Sequence, residues 1–457
     1  MAVEFLCSVH GTLLTYDISS NRLRHATGPG IARNAGLMTE NGSAWLVYRA
    51  GTDWRRLDGL TLNGQIGLAE SGAAPLRFQP RQQPDDLLSL SANGVWLCAE
   101  ADGSVTLGRQ TPGPWESFFP IDEPACDFLN EVGGGRWIAS SGEMIEGIRF
   151  GSDFRVGVGQ LGMPLRDLLA ARHRRDGQAW TVVYNGWMIE RYIPFRPLIY
   201  TIAYGHDEIF ETLLLSLESL HEFGGYGGDI LIFSDRTAQQ LAGIIPAALA
   251  PRVRVVAAPV ADVTDMMSAK FRICDMPDLA AYRPLLYLDA DVICNAPIDS
   301  LLIELASATK ISVPLEMDLA GEHNYYGSIL FRDDPTAPRR HEPGFSAGIL
   351  GIPSLDIARA TFPLILESMY GFARIQNDRG VMKSMFHDQG IANYVLHKTG
   401  LVDFEIMTRR VTTPFGYEPD QSGIPSLGLT HFCGGVGDAA KKLPSMRAYL
   451  NLLRGQQ

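Results

Sequence analysis

The segment Pro284-Leu285-Leu286-Tyr287-Leu288-Asp289-Ala290-Asp291-Val292-Ile293 is the most informative part of the chain. Its four apolar residues, 285–288, predict a short strand that is buried on both faces. Two carboxylates one residue apart then end the strand. Asp289 and Asp291 can offer oxygens from both side chains to one hard divalent cation that binds a diphosphate. The alternative is a solvated Asp-x-Asp turn, because Asp is common where strands end.

The composition is typical of a globular protein. The chain has 457 residues, 46% hydrophobic and 20% charged, and this length predicts two or three domains. No apolar run approaches the roughly 18 residues of a membrane span, and the first residues lack the pattern of a signal peptide. The 6 cysteines are scattered, which indicates neither a disulfide framework nor a zinc site. We therefore expect a cytoplasmic protein without a transmembrane segment.

The formal net charge of −12 argues against a nucleic-acid-binding protein, which needs a basic surface. It leaves a nucleotide ligand open, since a bound metal and one or two lysines can neutralise a diphosphate locally.

Residues 1–191 are predicted to form an all-β domain. Short β-rich runs alternate with turns of Gly, Ser, Asn and Asp. Three of the runs begin with a turn glycine, at Gly11, Gly94 and Gly135. Their spacings fit a repeat of about 40 residues, which is compatible with a β-trefoil or a short propeller.

One repeat runs from Asn93-Gly94-Val95-Trp96-Leu97-Cys98 through Asp102-Gly103-Ser104-Val105 to Gly113-Pro114-Trp115-Glu116-Ser117-Phe118. This pattern resembles a lobe of the fascin-like β-trefoils. The resemblance implies a packed trefoil that stabilises or positions its neighbour. A carbohydrate-binding role is the alternative, by analogy of fold alone.

The end of this half carries three further signals. Residues 161–176 are predicted to form a helix, and Asn185-Gly186 indicates a β-hairpin. The proline-punctuated segment 192–197 then predicts an extended linker between domains.

From residue 198 to residue 457 strands and helices alternate. Apolar runs at 198–204, 230–235 and 253–256 predict strands, and helical spacing over 209–223 and 238–249 predicts the helices between them. We therefore expect a parallel α/β sheet with ligands at the carboxyl ends of its strands.

Four blocks of this half carry a family resemblance. They are Tyr287-Leu288-Asp289-Ala290-Asp291-Val292, Phe345-Ser346-Ala347-Gly348-Ile349-Leu350, His387-Asp388-Gln389-Gly390-Ile391-Ala392-Asn393 and Thr430-His431-Phe432-Cys433-Gly434-Gly435. Together they resemble the retaining glycosyltransferases of family 8, the glycogenin and galactosyltransferase group with the GT-A (Rossmann-like) fold. The blocks follow the family's order at comparable spacings.

This resemblance implies a metal site in which Asp289, Asp291 and His431 are the protein ligands. A neutral imidazole suits Mn²⁺ better than Mg²⁺, although Mg²⁺ stays possible. The alternative for His431 is a buried histidine that is hydrogen-bonded to the backbone.

The resemblance also implies catalytic roles for two residues. Asp388 would accept hydrogen bonds from hydroxyls of the donor sugar, and Gln389 would lie beneath the anomeric carbon. N-capping of the helix that begins near Gly390 is the structural alternative.

Other residues are implied to bind the donor. Lys270 would reach its phosphate or sugar, with Arg272 as the rival and a solvated lysine as the alternative. Ala203 and Tyr204 would pack against a uracil ring. Further donor-binding positions are Ala290, Ser346, Ala347, Gly348 and Gly434.

Two departures from the family pattern affect the donor. Ser346 stands where the family has Asn, which leaves the identity of the sugar open. The family's Lys-Pro-Trp tail is missing, so either Lys441 or Lys442 is the candidate for the diphosphate.

These observations predict a metal-dependent retaining glycosyltransferase that moves a hexose from a nucleotide sugar, a UDP-sugar, to an unidentified acceptor. The segment 315–341, with Tyr325 and Tyr326, is long enough to be a lid or an acceptor loop. A non-catalytic sugar-binding protein with a relic transferase domain and an inverting GT-A transferase are the alternatives. We also expect both aspartates at an exposed site, where replacement by Asn costs little stability.

Overall fold

The computed structural model describes residues 3–26, 34–40, 43–60, 64–68, 76–150, 155–319, 326–337, 342–379, 388–414, 423–433 and 439–455. The chain divides into two compact units, Met1–Pro194 and Phe195–Gln457. Among the described helices, none combines the length and the apolar character that crossing a bilayer requires.

The first unit is mostly strand. Its strands are β1 Val3–Ser8, β2 Leu13–Asp17, β3 Arg22–Ala26, β4 Ala35–Glu40, β5 Ser43–Ala50, β6 Asp53–Arg56, β7 Gly59–Leu60, β8 Ile66–Gly67, β9 Gln79–Gln82, β10 Leu88–Ala92, β11 Val95–Ala99, β12 Val105–Arg109, β13 Ser117–Ile121, β14 Arg136–Ala139, β15 Met144–Glu146, β16 Ile148–Phe150, β17 Arg155–Val158, β18 Leu161–Pro164, β19 Arg172–Asp176, β20 Ala179–Tyr184 and β21 Met188–Pro194. Its helices are α1 Glu123–Gly133 and α2 Leu165–Leu169.

Six strands of this unit pair in a closed ring. β1 pairs with β13 and β4, β4 with β5, and β10 with both β9 and β13. A bridge closes the ring between β5 and β9, where Phe78 N donates to Ala44 O at 2.8 Å. The hairpins β2–β3, β7–β8 and β11–β12 belong to the same region. Each ring strand or its edge contributes one nearly inaccessible side chain to a common core: Leu6, Leu37, Leu46, Phe78, Leu90 and Phe118.

The repeat of about 40 residues has a different third member from the one predicted. Gly11, Gly51 and Gly94 have φ of 71°, 65° and 79°, and each stands in the turn that follows a ring strand. A left-handed backbone at these turns favours glycine, which has no Cβ. The assignment of Gly135 to the repeat was wrong, because it precedes β14, which pairs with β15 and β21 in a separate sheet.

Beyond the ring, α1 packs against a five-stranded sheet in the order β15-β14-β21-β20-β19. Helix α1 was not predicted from the sequence, although Asp122 caps it by accepting a hydrogen bond from Ala125 N at 2.9 Å. The hairpin at Asn185-Gly186 is confirmed, with φ of 51° and 77° as a type I′ turn requires.

The predicted helix over 161–176 was wrong at both ends. Only Leu165–Leu169 is helical, and Arg172–Asp176 forms strand β19, paired along its whole length with β20. Tertiary pairing overrides local helix preference here. The segment 192–197, predicted as an extended linker, belongs in part to a strand. Strand β21 continues to Pro194, and Tyr192 is fully buried.

The second unit contains the strands β22 Leu198–Ala203, β23 Asp229–Ser234, β24 Val253–Ala257, β25 Leu285–Leu288, β26 Val292–Cys294, β27 Ile311–Ser312, β28 Leu315–Asp318, β29 Pro343–Phe345, β30 Ile349–Ile352, β31 Val402–Asp403, β32 Val411–Thr412 and β33 Leu429–His431. Its helices are α3 Asp207–Glu222, α4 Ala238–Leu241, α5 Val263–Ser268, α6 Asp299–Ser307, α7 Ser328–Asp333, α8 Leu355–Arg379, α9 Asp388–Thr399, α10 Glu405–Thr408 and α11 Ala439–Gly455.

The main sheet of this unit has seven strands in the order β24-β23-β22-β25-β30-β27-β31. The first four run parallel, as predicted, and β30 joins β25 antiparallel. The helix predicted over 238–249 ends at Leu241, because Gly243 and Pro246 follow and proline cannot continue the helical hydrogen bonds. The buried side chains of 285–288 confirm the predicted central strand.

Candidate functional site

The two aspartates lie in a tight turn between two strands. β25 ends at Leu288, and β26 begins at Val292. Asp289 N donates to Gly348 O at 2.8 Å, and Val292 N donates to Asp289 O at 3.2 Å. The turn is therefore held to the end of the neighbouring strand β30, at the carboxyl edge of the sheet.

Strand pairing brings His431 to this turn from the far end of the chain. β26 pairs antiparallel with β33, and Val292 lies opposite His431. Phe432 N then donates to Asp291 O at 3.1 Å. As a result, one ligand atom each of Asp289, Asp291 and His431 lies within 4.8 Å of the others. The three predicted metal ligands are thus brought together.

The Asp291 carboxylate lies between the Lys442 ammonium and the His431 imidazole. Its Oδ2 lies 2.5 Å from the Lys442 ammonium, and its Oδ1 lies 3.4 Å from His431 Nε2. Burial raises the pKa of the Asp291 carboxyl, but the nearby His431 and Lys442 outweigh that effect and hold the pKa below its usual range. The expectation that both aspartates are exposed was therefore wrong for Asp291, whose side chain is only 13% exposed, against 31% for Asp289.

The charges around this turn also change the pKa of His431, in the opposite direction to that of Asp291. Burial lowers the pKa of its imidazole, but the carboxylates of Asp291 and Asp289 outweigh burial and raise the pKa above its ordinary value. A cation that binds His431 competes with a proton, because only the neutral imidazole is a ligand.

The donor set fits a divalent cation. Asp291 Oδ1 and His431 Nδ1 are buried and have no hydrogen-bond partner among the described residues, although buried polar atoms normally have one. Two carboxylates with one imidazole suit Mn²⁺ better than Mg²⁺. Gly348 leaves the necessary room, since a Cβ there would lie 2.5 Å from His431 Cε1 and 2.7 Å from Asp289 Oδ2.

Lys270 links the metal-side aspartate to the predicted catalytic aspartate. Its ammonium lies 2.8 Å from Asp388 Oδ2 and 3.6 Å from Asp289 Oδ1, and it donates to Ala347 O at 3.0 Å. Burial lowers its pKa, but the carboxylates outweigh burial and raise it. The alternative of a solvated lysine was wrong, because Lys270 is only 2% exposed.

Arg272, the rival of Lys270, faces elsewhere. Its guanidinium contacts Tyr370 and Asp265. Tyr287, which the sequence analysis did not single out for a role in the site, completes the network around Lys270. Its hydroxyl donates to Asp289 Oδ1, and its ring lies beneath the Lys270 ammonium at 4.7 Å.

Asp388 and Gln389 form the first turn of α9. Asn393, which is fully buried, holds that turn to β29. Its side chain accepts from Phe345 N at 3.0 Å and donates to Phe345 O at 2.8 Å and to Gln389 O at 2.9 Å. The signal for Asn393 in the sequence was an amide between the apolar residues of a predicted helix. Composition alone does not distinguish such a residue from a capping residue.

The remaining predicted donor residues lie in or beside this region. Ser346 Oγ accepts from Gly348 N at 3.3 Å, and Ala290 is buried. Lys442 contacts Asp291, whereas Lys441 is exposed. Gly434 lies outside the described residues.

Ala203 is the last residue of strand β22, Tyr204 follows it, and both are buried. Burial raises the pKa of Tyr204 to about 12. Its hydroxyl has no hydrogen-bond partner within the described part of the chain.

A further carboxylate lies beside the candidate metal ligands. Glu316, in β28, has an oxygen within 4.8 Å of ligand atoms of His431 and Cys433, and Tyr326 OH donates to it at 2.9 Å. Both residues belong to the predicted acceptor loop 315–341, of which residues 320–325 and 338–341, including Tyr325, lie outside the described residues.

No protein-family model matches the chain. No curated protein matches it either. Among solved structures, it is similar to the galactosyltransferase LgtC in complex with donor and acceptor sugar analogues, at 15% identity and a TM-score of 0.39, over 57% of this chain and 95% of that one. It is also similar to the bifunctional glycosyltransferase WbbM, at 12% identity and a TM-score of 0.38, over 58% of this chain and 52% of that one. It is similar as well to mouse xyloside xylosyltransferase 1, at 12% identity and a TM-score of 0.36, over 54% of this chain and 98% of that one. Values this low assign no family to the chain.

Proposed function

We propose that the second unit is a metal-dependent retaining glycosyltransferase of the GT-A type, which moves a hexose from a UDP-sugar to an acceptor. The observation that carries this proposal is the meeting of Asp289, Asp291 and His431 within 4.8 Å, with a buried carboxylate oxygen of Asp291 that lacks a hydrogen-bond partner among the described residues. That oxygen faces His431 Nε2 at 3.4 Å without a hydrogen bond of good geometry, which leaves it available to a cation.

Asp289, Asp291 and His431 would hold Mn²⁺, which when bound neutralises the charge of the departing diphosphate. We assign Lys442 to the same diphosphate, because its ammonium already lies at Asp291. Lys441 is exposed and is the weaker candidate.

Asp388 and Gln389 are assigned to the donor sugar. Lys270 supports this role by holding the Asp388 carboxylate at 2.8 Å, so that its orientation relative to Asp289 is set before substrate binds. Gln389 is fixed through its backbone carbonyl by Asn393. Ala203 and Tyr204 at the end of β22 are assigned to the uracil ring.

For the first unit we propose a β-trefoil over residues 3–121. The closed six-stranded ring, its three hairpins and the left-handed glycines Gly11, Gly51 and Gly94 support this assignment. We propose a domain boundary after Pro194, close to the predicted end at residue 191, and the division of the chain into two compact units supports it. We further propose that the enzyme works in the cytoplasm, where its free cysteines stay reduced.

The test is hydrolysis of UDP-sugars by the full chain, with Mn²⁺ and after chelation. We expect turnover of at least one UDP-hexose with Mn²⁺, its loss on chelation and its recovery when Mn²⁺ is added back. Undiminished turnover after chelation would overturn the metal role. Proton NMR of the transferred product distinguishes retention of the anomeric configuration from inversion.

A further inference from the structure

A second surface, in the first unit, combines exposed arginines with exposed apolar side chains. It lies on the hairpin β20–β21 and the neighbouring strand β19. Arg172, Val183 and Ile189 lie opposite one another across the three strands, and so do Arg174, Thr181 and Arg191. Directly opposed residues of antiparallel strands lie on the same face. We call this face, with Trp187 in the turn, the basic hairpin face.

The other face of the same strands is already occupied. His173, Trp180, Val182, Tyr184 and Tyr192 are buried there in the core that includes α1. The opposite face is buried at the end away from the turn, where Ile193 and Ala179 lie, but Arg172, Arg174 and Arg191 are exposed, as are Trp187 and Ile189. The part of the basic hairpin face that these residues form is therefore presented to solvent.

Its apolar residues are unusually exposed. Trp187 is 76% exposed and Ile189 is 66% exposed, which are two of the three highest values among the large exposed apolar side chains of the described residues. The type I′ turn at Asn185-Gly186 projects Trp187 at the end of the hairpin. Exposed tryptophan beside an apolar residue is typical of groups that enter the interface between water and lipid.

The charges of this face are uncompensated. Among the described residues, no ion pair or hydrogen bond engages the guanidinium groups of Arg172, Arg174 or Arg191, whereas Arg175 on the buried face pairs with Glu131 at 2.9 Å. The acidic residue on the same face is Asp176, at the end remote from Trp187. Three unpaired cations on a chain with a net charge of −12 form a local site for an anionic surface.

We propose that the basic hairpin face docks the protein on membranes that contain anionic phospholipids. Trp187 and Ile189 enter the headgroup region, and Arg172, Arg174 and Arg191 contact lipid phosphates. A polyanion in solution, such as nucleic acid, would engage the arginines but would leave Trp187 and Ile189 exposed to water. The apolar pair at the end of the hairpin is what favours a lipid surface.

The experiment is sedimentation of the full chain with vesicles. Binding is expected to vesicles of phosphatidylcholine and phosphatidylglycerol, to weaken with salt, and to be absent with phosphatidylcholine alone. Replacing Arg172, Arg174 and Arg191 by Gln should weaken binding roughly a hundred-fold, since each basic residue near an anionic surface contributes about five-fold. Trp187→Ser with Ile189→Ser should weaken it at least ten-fold.

A matched control removes three other exposed arginines of this unit, through Arg22→Gln, Arg24→Gln and Arg81→Gln, with the same change in net charge. This variant should bind as the wild type does. Equal losses in both triple variants would overturn the proposal, because net charge alone would then explain binding. Absence of binding to the mixed vesicles, or binding to double-stranded DNA that is as tight and is insensitive to the Trp187 and Ile189 changes, would overturn it as well.

A spectroscopic measurement places Trp187 directly. Bromine-labelled acyl chains should quench tryptophan fluorescence of the wild type on binding, and Trp187→Phe should remove most of that quenching while binding is retained. Quenching that is unchanged in Trp187→Phe would contradict the proposed orientation.

Discussion

His431 in the second unit and His173 in the first unit are both buried, yet their surroundings have opposite effects on the proton. His431 lies beside the carboxylates of Asp291 and Asp289, which raise its pKa in spite of burial. His173 packs against the ring of Phe128 at 4.8 Å, and burial lowers its pKa to about 4, against a smaller opposing effect of Asp122.

The difference shows that burial alone does not distinguish the proposed ligand His431 from the core residue His173. Neighbouring charge does, because a cluster of carboxylates around a buried base creates a site for a cation, which apolar neighbours do not. Two lysines differ in a similar way. Lys270 is buried and pairs with Asp388, whereas Lys398 pairs with Asp334 at the surface.

The largest effect is expected from Lys270→Met. This change leaves the buried carboxylate of Asp388 without its cation, which should cost about 3–5 kcal/mol of the free energy of unfolding and abolish turnover. Denaturant unfolding measures the first and UDP-sugar hydrolysis the second. Lys398→Met removes a surface pair with Asp334 and should cost less than about 1 kcal/mol. Similar losses in the two variants would remove the distinction between the two regions.

The next largest effect is a dependence of the free energy of unfolding on pH, which arises from the buried His173. The unfolded chain takes up a proton near pH 6.5, whereas the folded chain keeps His173 neutral down to about pH 4. Stability from this residue is therefore present above about pH 6.5 and is lost as the pH falls toward 4, by about 3 kcal/mol in total. In His173→Leu this part of the pH dependence should disappear. Urea unfolding of both proteins across that range is the measurement, and parallel curves would show that His173 does not titrate as described.

A smaller loss of stability is expected from Asp291→Asn. The neutral amide removes the negative charge that Asp291 places beside the buried Lys442 ammonium, which should cost about 1–3 kcal/mol. Adding Lys442→Met should restore part of that stability without restoring turnover. The thermal midpoints of the single and double variants report the first, and hydrolysis reports the second. If the double variant were the less stable of the two, the pairing of Asp291 with Lys442 would be refuted.

The sequence predicted the secondary structure around the candidate site better than the secondary structure of the first unit. The strand before Asp289 was predicted correctly because its apolar run is a local signal. The three proposed metal ligands were named from the resemblance of their motifs, and the structure brings them together. The strand Arg172–Asp176 could not, because its conformation is set by pairing with β20. Asp122 and Pro124 are a signal for the start of helix α1, but both residue types are also common in turns, and the helix was not predicted.

Within the site, the sequence did not predict which charged side chains pair with one another. Lys270 was predicted to reach the donor, and only the geometry shows it bridging Asp388 and Asp289. Asp291 was predicted to be exposed, and its burial follows from the approach of β33 and α11, which are far away along the chain. Contacts over such separations leave no periodic signal in either segment.

The most direct test of the metal site is calorimetric titration of UDP into the Asp289→Asn variant with and without Mn²⁺. Asp289 is the more exposed aspartate, so its replacement by an amide of the same shape should leave the thermal midpoint of the ligand-free protein close to the wild-type value. We predict that wild-type protein binds UDP only with Mn²⁺ and that Asp289→Asn loses this binding. Mn²⁺-dependent UDP binding of wild-type strength in Asp289→Asn would contradict the assignment of Asp289, Asp291 and His431 as the metal site.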